Sequence, residues 1–206
     1  MIKAIETRYA GCRFRSRLEA RWAVFFDRVG IAWEYEPQGF HLGYRLMLHE
    51  GPGFQYLPDF WLPGLDVWVE VKGSLSPGEV LSLLEIAASL GVGDDGGCAR
   101  DAGGKDLVVL GPVPDPTGEG QVAPTRLHMH KGNLHAAAFR FDAPGDRCVS
   151  NGPSEQIAAD SGEVYFGPDT LGKMLLQGLR VEPFSSSINE GYTLARSARF
   201  EHGEAG

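Results

Sequence analysis

The sequence predicts an α/β fold built around a mixed central sheet. Three observations predict it. Ser16–Val29 carries one apolar stripe at helical spacing. Tyr56–Ser74, "YLPDFWLPGLDVWVEVKGS", reads as two strands around a tight connection, Pro63 to Asp66. A second helical stretch then leads into a short apolar strand, "DLVVLG".

In the first helix, Leu18, Trp22, Phe25, Phe26 and Val29 form the stripe. Ser16 with Glu19 three residues later fits a capping box, and Gly30 ends the helix. "IAWEYE", Ile31 to Glu36, alternates and stops at Pro37, so it reads as a strand. A turn-rich piece follows, with a further strand expected at Tyr44 to Leu48. After the hairpin, Ser76 to Leu90 reads as a helix through Val80, Leu83, Leu84, Ala87 and Ala88, with Ser76 and Glu79 as its cap. "GVGDDGGCARDAGGK" reads as a Gly-rich loop before the apolar strand. Further on, "TRLHMHKGNLHAAAFRF" predicts a hairpin around Lys131-Gly132-Asn133. Asp169 is placed as the cap of a helix through Leu179. A last helix is expected from Asn189 to Phe200, capped by Ser187 and Glu190.

The chain has 206 residues, enough for one large domain or a domain with an extension. No apolar run approaches the ~20 residues of a membrane span, so no membrane partner is expected. The N-terminus lacks the apolar stretch of a signal peptide. Cys12, Cys98 and Cys148 lie far apart, which argues against a disulfide framework or a cysteine zinc site. A cytoplasmic location is the expectation. The net charge of −8 disfavours a nucleic-acid partner for the surface as a whole. Residues 1–30 differ: Lys3, Arg8, Arg13, Arg15, Arg17, Arg21 and Arg28 stand against Glu6, Glu19 and Asp27. A local basic face can bind phosphate on an acidic chain, because charge is screened within ~10 Å.

The hairpin raises a chemical question, since it sets Asp59, Glu70 and Lys72 among aromatic and β-branched residues. With Leu62 opposite Val67, Trp61 faces Trp68, Asp59 faces Glu70 and Leu57 faces Lys72. Alternation then puts Asp59, Glu70 and Lys72 on one face and Val67, Val69 and Val71 on the other, which reads as core. Opposed acids with Cβ atoms ~5 Å apart destabilise a sheet. One reading removes the conflict with a divalent cation: hard oxygen ligands favour Mg²⁺, which uses one or two carboxylates and keeps several waters. Such an ion acidifies water, and Lys72 can hold that water or a phosphate oxygen. The other reading is a salt bridge from Lys72 to Asp59 or Glu70 on an exposed sheet face. Two further Pro-Asp pairs occur, Pro114-Asp115 and Pro168-Asp169, but Glu70-Val71-Lys72 is the sole acid-x-Lys triplet.

Pro58-Asp59 followed by Glu70-Val71-Lys72 on the next strand resembles the PD-(D/E)XK nuclease superfamily, the restriction-endonuclease-like fold. The stretches "RSRLEARWA", "WEYEP" and "YLPDFWLP" are similar to phage and mobile-element nucleases of this kind. The resemblance covers about residues 8–111. It implies a core of helix, three-strand antiparallel meander, helix and strand in a mixed central sheet over residues 1–111. An α+β extension, residues 112–206, would pack on that core. It implies a Mg²⁺-dependent endonuclease acting on DNA, with Mn²⁺ able to substitute, and leaves a homodimer open. Asp59 and Glu70 would ligate the ion with the Val71 carbonyl. Lys72 would orient or activate the water, and Glu19 would hold a second ion or its waters. The competing reading of Glu19 is a helix-capping acid. Glu34 and Glu36 are further acids, more simply read as exposed strand charges. Arg13, Arg15 and Arg17, just before or at the start of the first helix, are placed to engage phosphates. Trp61 and Trp68 can stack bases or pack in the core. His128, His130 and His135 invite a zinc reading but lack a fourth ligand. Arg196 and Arg199 can contact DNA or brace the fold. Two other functions stay open: a catalytically silent DNA- or protein-binding scaffold of the same fold, and a nuclease for RNA or branched DNA.

Overall fold

A computed structural model describes residues 6–46, 48, 51–91, 104–117, 121–141, 155–159 and 161–200. The chain opens with a small hairpin, β1 (Thr7–Tyr9) and β2 (Cys12–Phe14), followed by helix α1 (Arg17–Val29). Next come β3 (Glu34–Tyr35), β4 (Phe40–Leu42), β5 (Phe54–Tyr56), β6 (Phe60–Leu62), β7 (Val67–Val71), α2 (Pro77–Leu90) and β8 (Asp106–Leu110). The remainder holds β9 (Val122–Ala123), β10 (Thr125–His130), β11 (Asn133–Ala138), β12 (Glu155–Ala158), α3 (Pro168–Gln177), β13 (Leu179–Arg180) and α4 (Ser186–Ser197).

The molecule is α/β, with a seven-stranded sheet in the order β12-β11-β10-β8-β7-β6-β3. β7 and β8 run parallel, joined through α2, and the other pairings are antiparallel, so the sheet is mixed. Strands beyond residue 111 extend this same sheet. The β6–β7 register pairs Leu62 with Val67 and Trp61 with Trp68, as the alternation predicts. The connection closes with the Leu65 and Asp66 N–H groups donating to the Leu62 carbonyl.

Both faces of the sheet are covered. Val67, Val69 and Val71 pack with Phe60, Leu62 and the α1 aromatics Trp22, Phe25 and Phe26. Trp68 lies on the other face with Val80, Leu83 and Leu84 of α2. Every residue of β7 is therefore buried. Phe25 stacks on Tyr192 at 4.7 Å, which docks α4 on α1.

Both long helices start where their sequences place them. Ser16 caps α1 by accepting from the Glu19 N–H, and Gly30 leaves it in the left-handed region at φ 74°. Ser76 and Glu79 make a reciprocal capping box at α2. The Lys131-Gly132 turn takes positive φ at both positions and closes the β10–β11 hairpin, as expected.

Other local expectations are corrected. The strand placed at Tyr44–Leu48 is instead β4, Phe40–Leu42, paired with β5. The N–H groups of Arg45, Leu46 and Leu48 are taken by the buried Glu85 carboxylate, which leaves them no sheet partner. β3 is only Glu34–Tyr35, because Glu36 turns to φ 45° before Pro37. Gly167, not Asp169, is the N-cap of α3, and Leu179 leaves that helix to pair with Ala123. α4 begins at Ser186 after Ser185, so Ser187 and Glu190 lie inside it, and Glu190 pairs with Arg28. The Gly-rich loop lies almost wholly outside the described residues, as do Cys98 and Cys148.

Candidate functional site

Three pieces of chain meet at the edge of the β6–β7 hairpin: the start of α1, the Tyr56–Asp59 turn between β5 and β6, and the end of β7. They line a cleft of about 420 Å³ together with the first turns of α2. Asp59, Glu70, Lys72 and Glu19 all face it, as does Arg15. Arg13 pairs with Glu6, and neither Arg13 nor Arg17 is among the residues lining the cleft.

Asp59 directly precedes β6. Its Oδ2 accepts the Val71 N–H at 2.7 Å, tying the turn to the end of β7. Its Oδ1 accepts from Arg15 Nη2 at 2.8 Å. Glu70 Oε1 lies 2.7 Å from Lys72 Nζ, and Glu70 Oε2 accepts the Tyr56 hydroxyl at 2.9 Å. The two acids are 4% and 7% exposed, so they do not stand on an open sheet face. The Lys72–Glu70 ion pair forms, but at a buried carboxylate.

The electrostatics follow from this placement. Burial, and then the charge of Glu70, push the Asp59 carboxyl up from 3.8 to about 7, against the Val71 N–H and Arg15. Burial pulls the Lys72 ammonium down, but Glu70, with Asp59 and Glu79, more than offsets it, and its pKa lies above the usual lysine value. Burial and Glu70 raise the Tyr56 hydroxyl well above 10.

Glu19 acts as a helix-start acid and also faces the cleft. Its Oε1 accepts from the Ser16 hydroxyl at 2.7 Å. Its Oε2 takes the Arg15 N–H at 3.0 Å and the Tyr35 hydroxyl at 2.7 Å. The carboxylate reaches one residue further back than a simple capping box, which fixes the backbone of Arg15. Glu36 lies beside this group, with Oε1 2.6 Å from Arg15 Nε. Glu34 is exposed on β3.

Tyr35 and Tyr56, which donate to Glu19 and Glu70, are neighbours of the candidate acids that the sequence does not single out. A tyrosine just ahead of each acidic turn, Glu36 and Asp59, was the available signal. Trp61 and Trp68 pack with ring centroids 4.5 Å apart and the rings tilted by 41°, and Trp68 is buried against Phe40. On the β10–β11 hairpin the His135 ring lies 5.6 Å from that of His128 and 5.5 Å from that of His130. Arg196 binds the Val113 carbonyl and Asp115, bracing the segment after β8.

Asp59 and Glu70 offer oxygen donors of the type that a hard divalent cation takes. The cleft is lined by four carboxylates, Glu19, Asp59, Glu70 and Glu79, against two cations, Arg15 and Lys72. That leaves a formal surplus of two negative charges in a cleft where three of the acids, Glu19, Asp59 and Glu70, are buried. Among the described residues no three histidine, cysteine or acidic side chains gather into a closed ligand set. Mg²⁺ needs none, since one or two carboxylates suffice with water and phosphate completing its shell.

Set against family models, curated proteins and solved structures, the chain matches none. Among the described residues no helix is long and apolar enough to cross a membrane.

Proposed function

We propose that this chain is a Mg²⁺-dependent nuclease of the PD-(D/E)XK superfamily, hydrolysing DNA phosphodiester bonds as an endonuclease. The observation that carries the reading is the convergence of Asp59, Glu70 and Lys72 on one cleft with Glu19 from α1. The order of elements supports it: a helix, antiparallel strands β3, β6 and β7, a second helix, and β8 parallel to β7. The β4–β5 hairpin is an insertion between the first two strands of that meander.

Asp59 and Glu70 hold the ion in this reading, with Glu19 behind them. When bound, the ion neutralises charge at the scissile phosphate and makes water more acidic. The chain's residues do the rest. Val71 N–H and Tyr56 fix the two carboxylates from behind. Lys72 Nζ, 2.7 Å from Glu70, offers a preset positive charge to the developing phosphorane oxygens. Arg15 supplies a phosphate contact at the mouth of the cleft.

A catalytically silent scaffold is the second reading. One observation favours it: both oxygens of Asp59 and of Glu70 already have protein partners. Incubating supercoiled DNA with the protein and its Asp59→Ala variant, in Mg²⁺ and in EDTA, separates the two. The nuclease reading expects nicking by the wild type in Mg²⁺ alone. No nicking by a folded wild type favours the scaffold, and nicking that is equal in Asp59→Ala contradicts the nuclease reading of this cleft.

A further inference from the structure

The four carboxylate oxygens of Asp59 and Glu70 are held by four different groups: Arg15, the Val71 N–H, Lys72 and Tyr56. Each oxygen keeps a second lone pair, but a divalent cation that binds these acids directly is repelled by the two cationic partners, Arg15 and Lys72, and gains if one of them gives way. Three of the four are poorly placed to move. Val71 N–H is backbone at the end of a central strand. Tyr56 is buried. Lys72 has a side chain only 30% exposed, flanked by the acid it pairs with.

Arg15 differs in every respect. Its side chain is 56% exposed, while that of Asp59 is 5% exposed. Its backbone is fixed, because its N–H is shared by Glu19 Oε2 and the Tyr35 hydroxyl. Its guanidinium lies between two acids, with Nη2 hydrogen-bonded to Asp59 and Nε in an ion pair with Glu36. Glu36 is itself unusual. It sits at φ 45°, a region a glutamate rarely adopts, and its N–H donates to the Asp59 carbonyl at 3.0 Å. Such an outlier persists only where its surroundings hold it, and here it holds a second anchor for Arg15.

We propose that Arg15 is the resident counter-ion of Asp59, displaced by the divalent cation, and that the freed guanidinium, still pivoted on Glu36, takes a phosphate oxygen of the substrate. This rests on the nuclease reading. A like-charged cation arriving at Asp59 repels the guanidinium, and Glu36 at 2.6 Å keeps it at the mouth of the cleft. A planar fork that leaves one carboxylate oxygen matches a phosphate oxygen equally well. Cation and phosphate binding are then coupled through one side chain, and the coupling is reciprocal.

Two measurements on the full chain test it. The first is a calorimetric titration of Mn²⁺ alone into the wild type and Arg15→Ala. Removing the competitor should tighten Mn²⁺ binding about two- to fivefold, the range set by a partly exposed ion pair. The second is the salt dependence of binding to a phosphorothioate-linked duplex, with Mn²⁺ and with EDTA. In Mn²⁺ the slope should shrink by about one in Arg15→Ala, the signature of one lost phosphate contact. In EDTA the slope should not change, because Arg15 is then held by Asp59. Equal or weaker Mn²⁺ binding by Arg15→Ala overturns the proposal, as does a slope change that is absent in Mn²⁺ or the same in EDTA. Should Arg15→Ala lose its cooperative unfolding, Arg15→Gln carries the same comparison without the charge. A folded wild type that binds no Mn²⁺ instead defeats the nuclease reading itself.

Discussion

Tyr56 donates its hydroxyl to Glu70 Oε2 at 2.9 Å, from a ring that is itself buried. The bond fixes one oxygen of a carboxylate whose other oxygen faces Lys72. Tyr56→Phe removes only the donor and leaves that oxygen buried without a partner. The expected loss is about 1–3 kcal/mol of stability, read from urea unfolding, with weaker metal-dependent cleavage. Unchanged stability would mean that Glu70 is satisfied some other way.

Glu85 is fully buried on α2 and accepts the N–H groups of Arg45, Leu46 and Leu48. No aliphatic side chain replaces such an acceptor. Glu85→Ala leaves three backbone donors in need of new partners and should cost on the order of 3 kcal/mol or more. Hydrogen exchange of the β4–β5 region would show its amides losing protection first. A variant as stable as the wild type would contradict the geometry.

Gly191 lets α4 seat closely on α1. A Cβ there would lie 2.8 Å from Val29 Cγ1 and 3.0 Å from Phe25 Cδ2. Gly191→Ala should therefore destabilise by about 1–3 kcal/mol by thermal or denaturant unfolding, despite the higher helix propensity of alanine. A stabilised variant would mean that the two helices can separate freely.

Asp59 gives a pH dependence with a defined sign. Its folded carboxyl binds a proton more tightly than the unfolded one, with the pKa raised from 3.8 to about 7. Between these values the folded state holds more protons, so the contribution of Asp59 to stability falls as pH rises. In EDTA, the wild type should lose stability relative to Asp59→Asn from about pH 4 to about pH 7. Saturating Mg²⁺ should flatten that difference. A difference that grows with pH would reverse the assignment.

Much of this architecture is legible in the sequence because its signals are local. Ser16 with Glu19, and Ser76 with Glu79, announce two helix starts. The four residues from Pro63 to Asp66 and the Trp61–Trp68 alternation set the hairpin register. What is not legible depends on distant chain. Nothing near Tyr44–Leu48 says that Glu85, some forty residues away, claims its amides. β1 and β2 are three residues each, too short to show periodicity. α4 starts at Ser186 after Ser185, and within a run of three serines no local signal says which one precedes the helix. In the site, the acid-x-Lys triplet stands out by itself. The bridge from Arg15 to Asp59 spans 44 positions, and no local pattern marks which of the three clustered arginines makes it.

The most direct test of the central claim is cleavage itself. Supercoiled, linear, single-stranded and four-way-junction DNA would each be incubated with Mg²⁺, Mn²⁺ or EDTA, using the wild type and a Lys72→Ala variant shown to be folded. The account predicts cutting of at least one DNA by the wild type in Mg²⁺ or Mn²⁺, none in EDTA, and loss of that cutting in Lys72→Ala. Metal-dependent cleavage that survives intact in Lys72→Ala, or no cleavage of any DNA by a folded wild type, would contradict it.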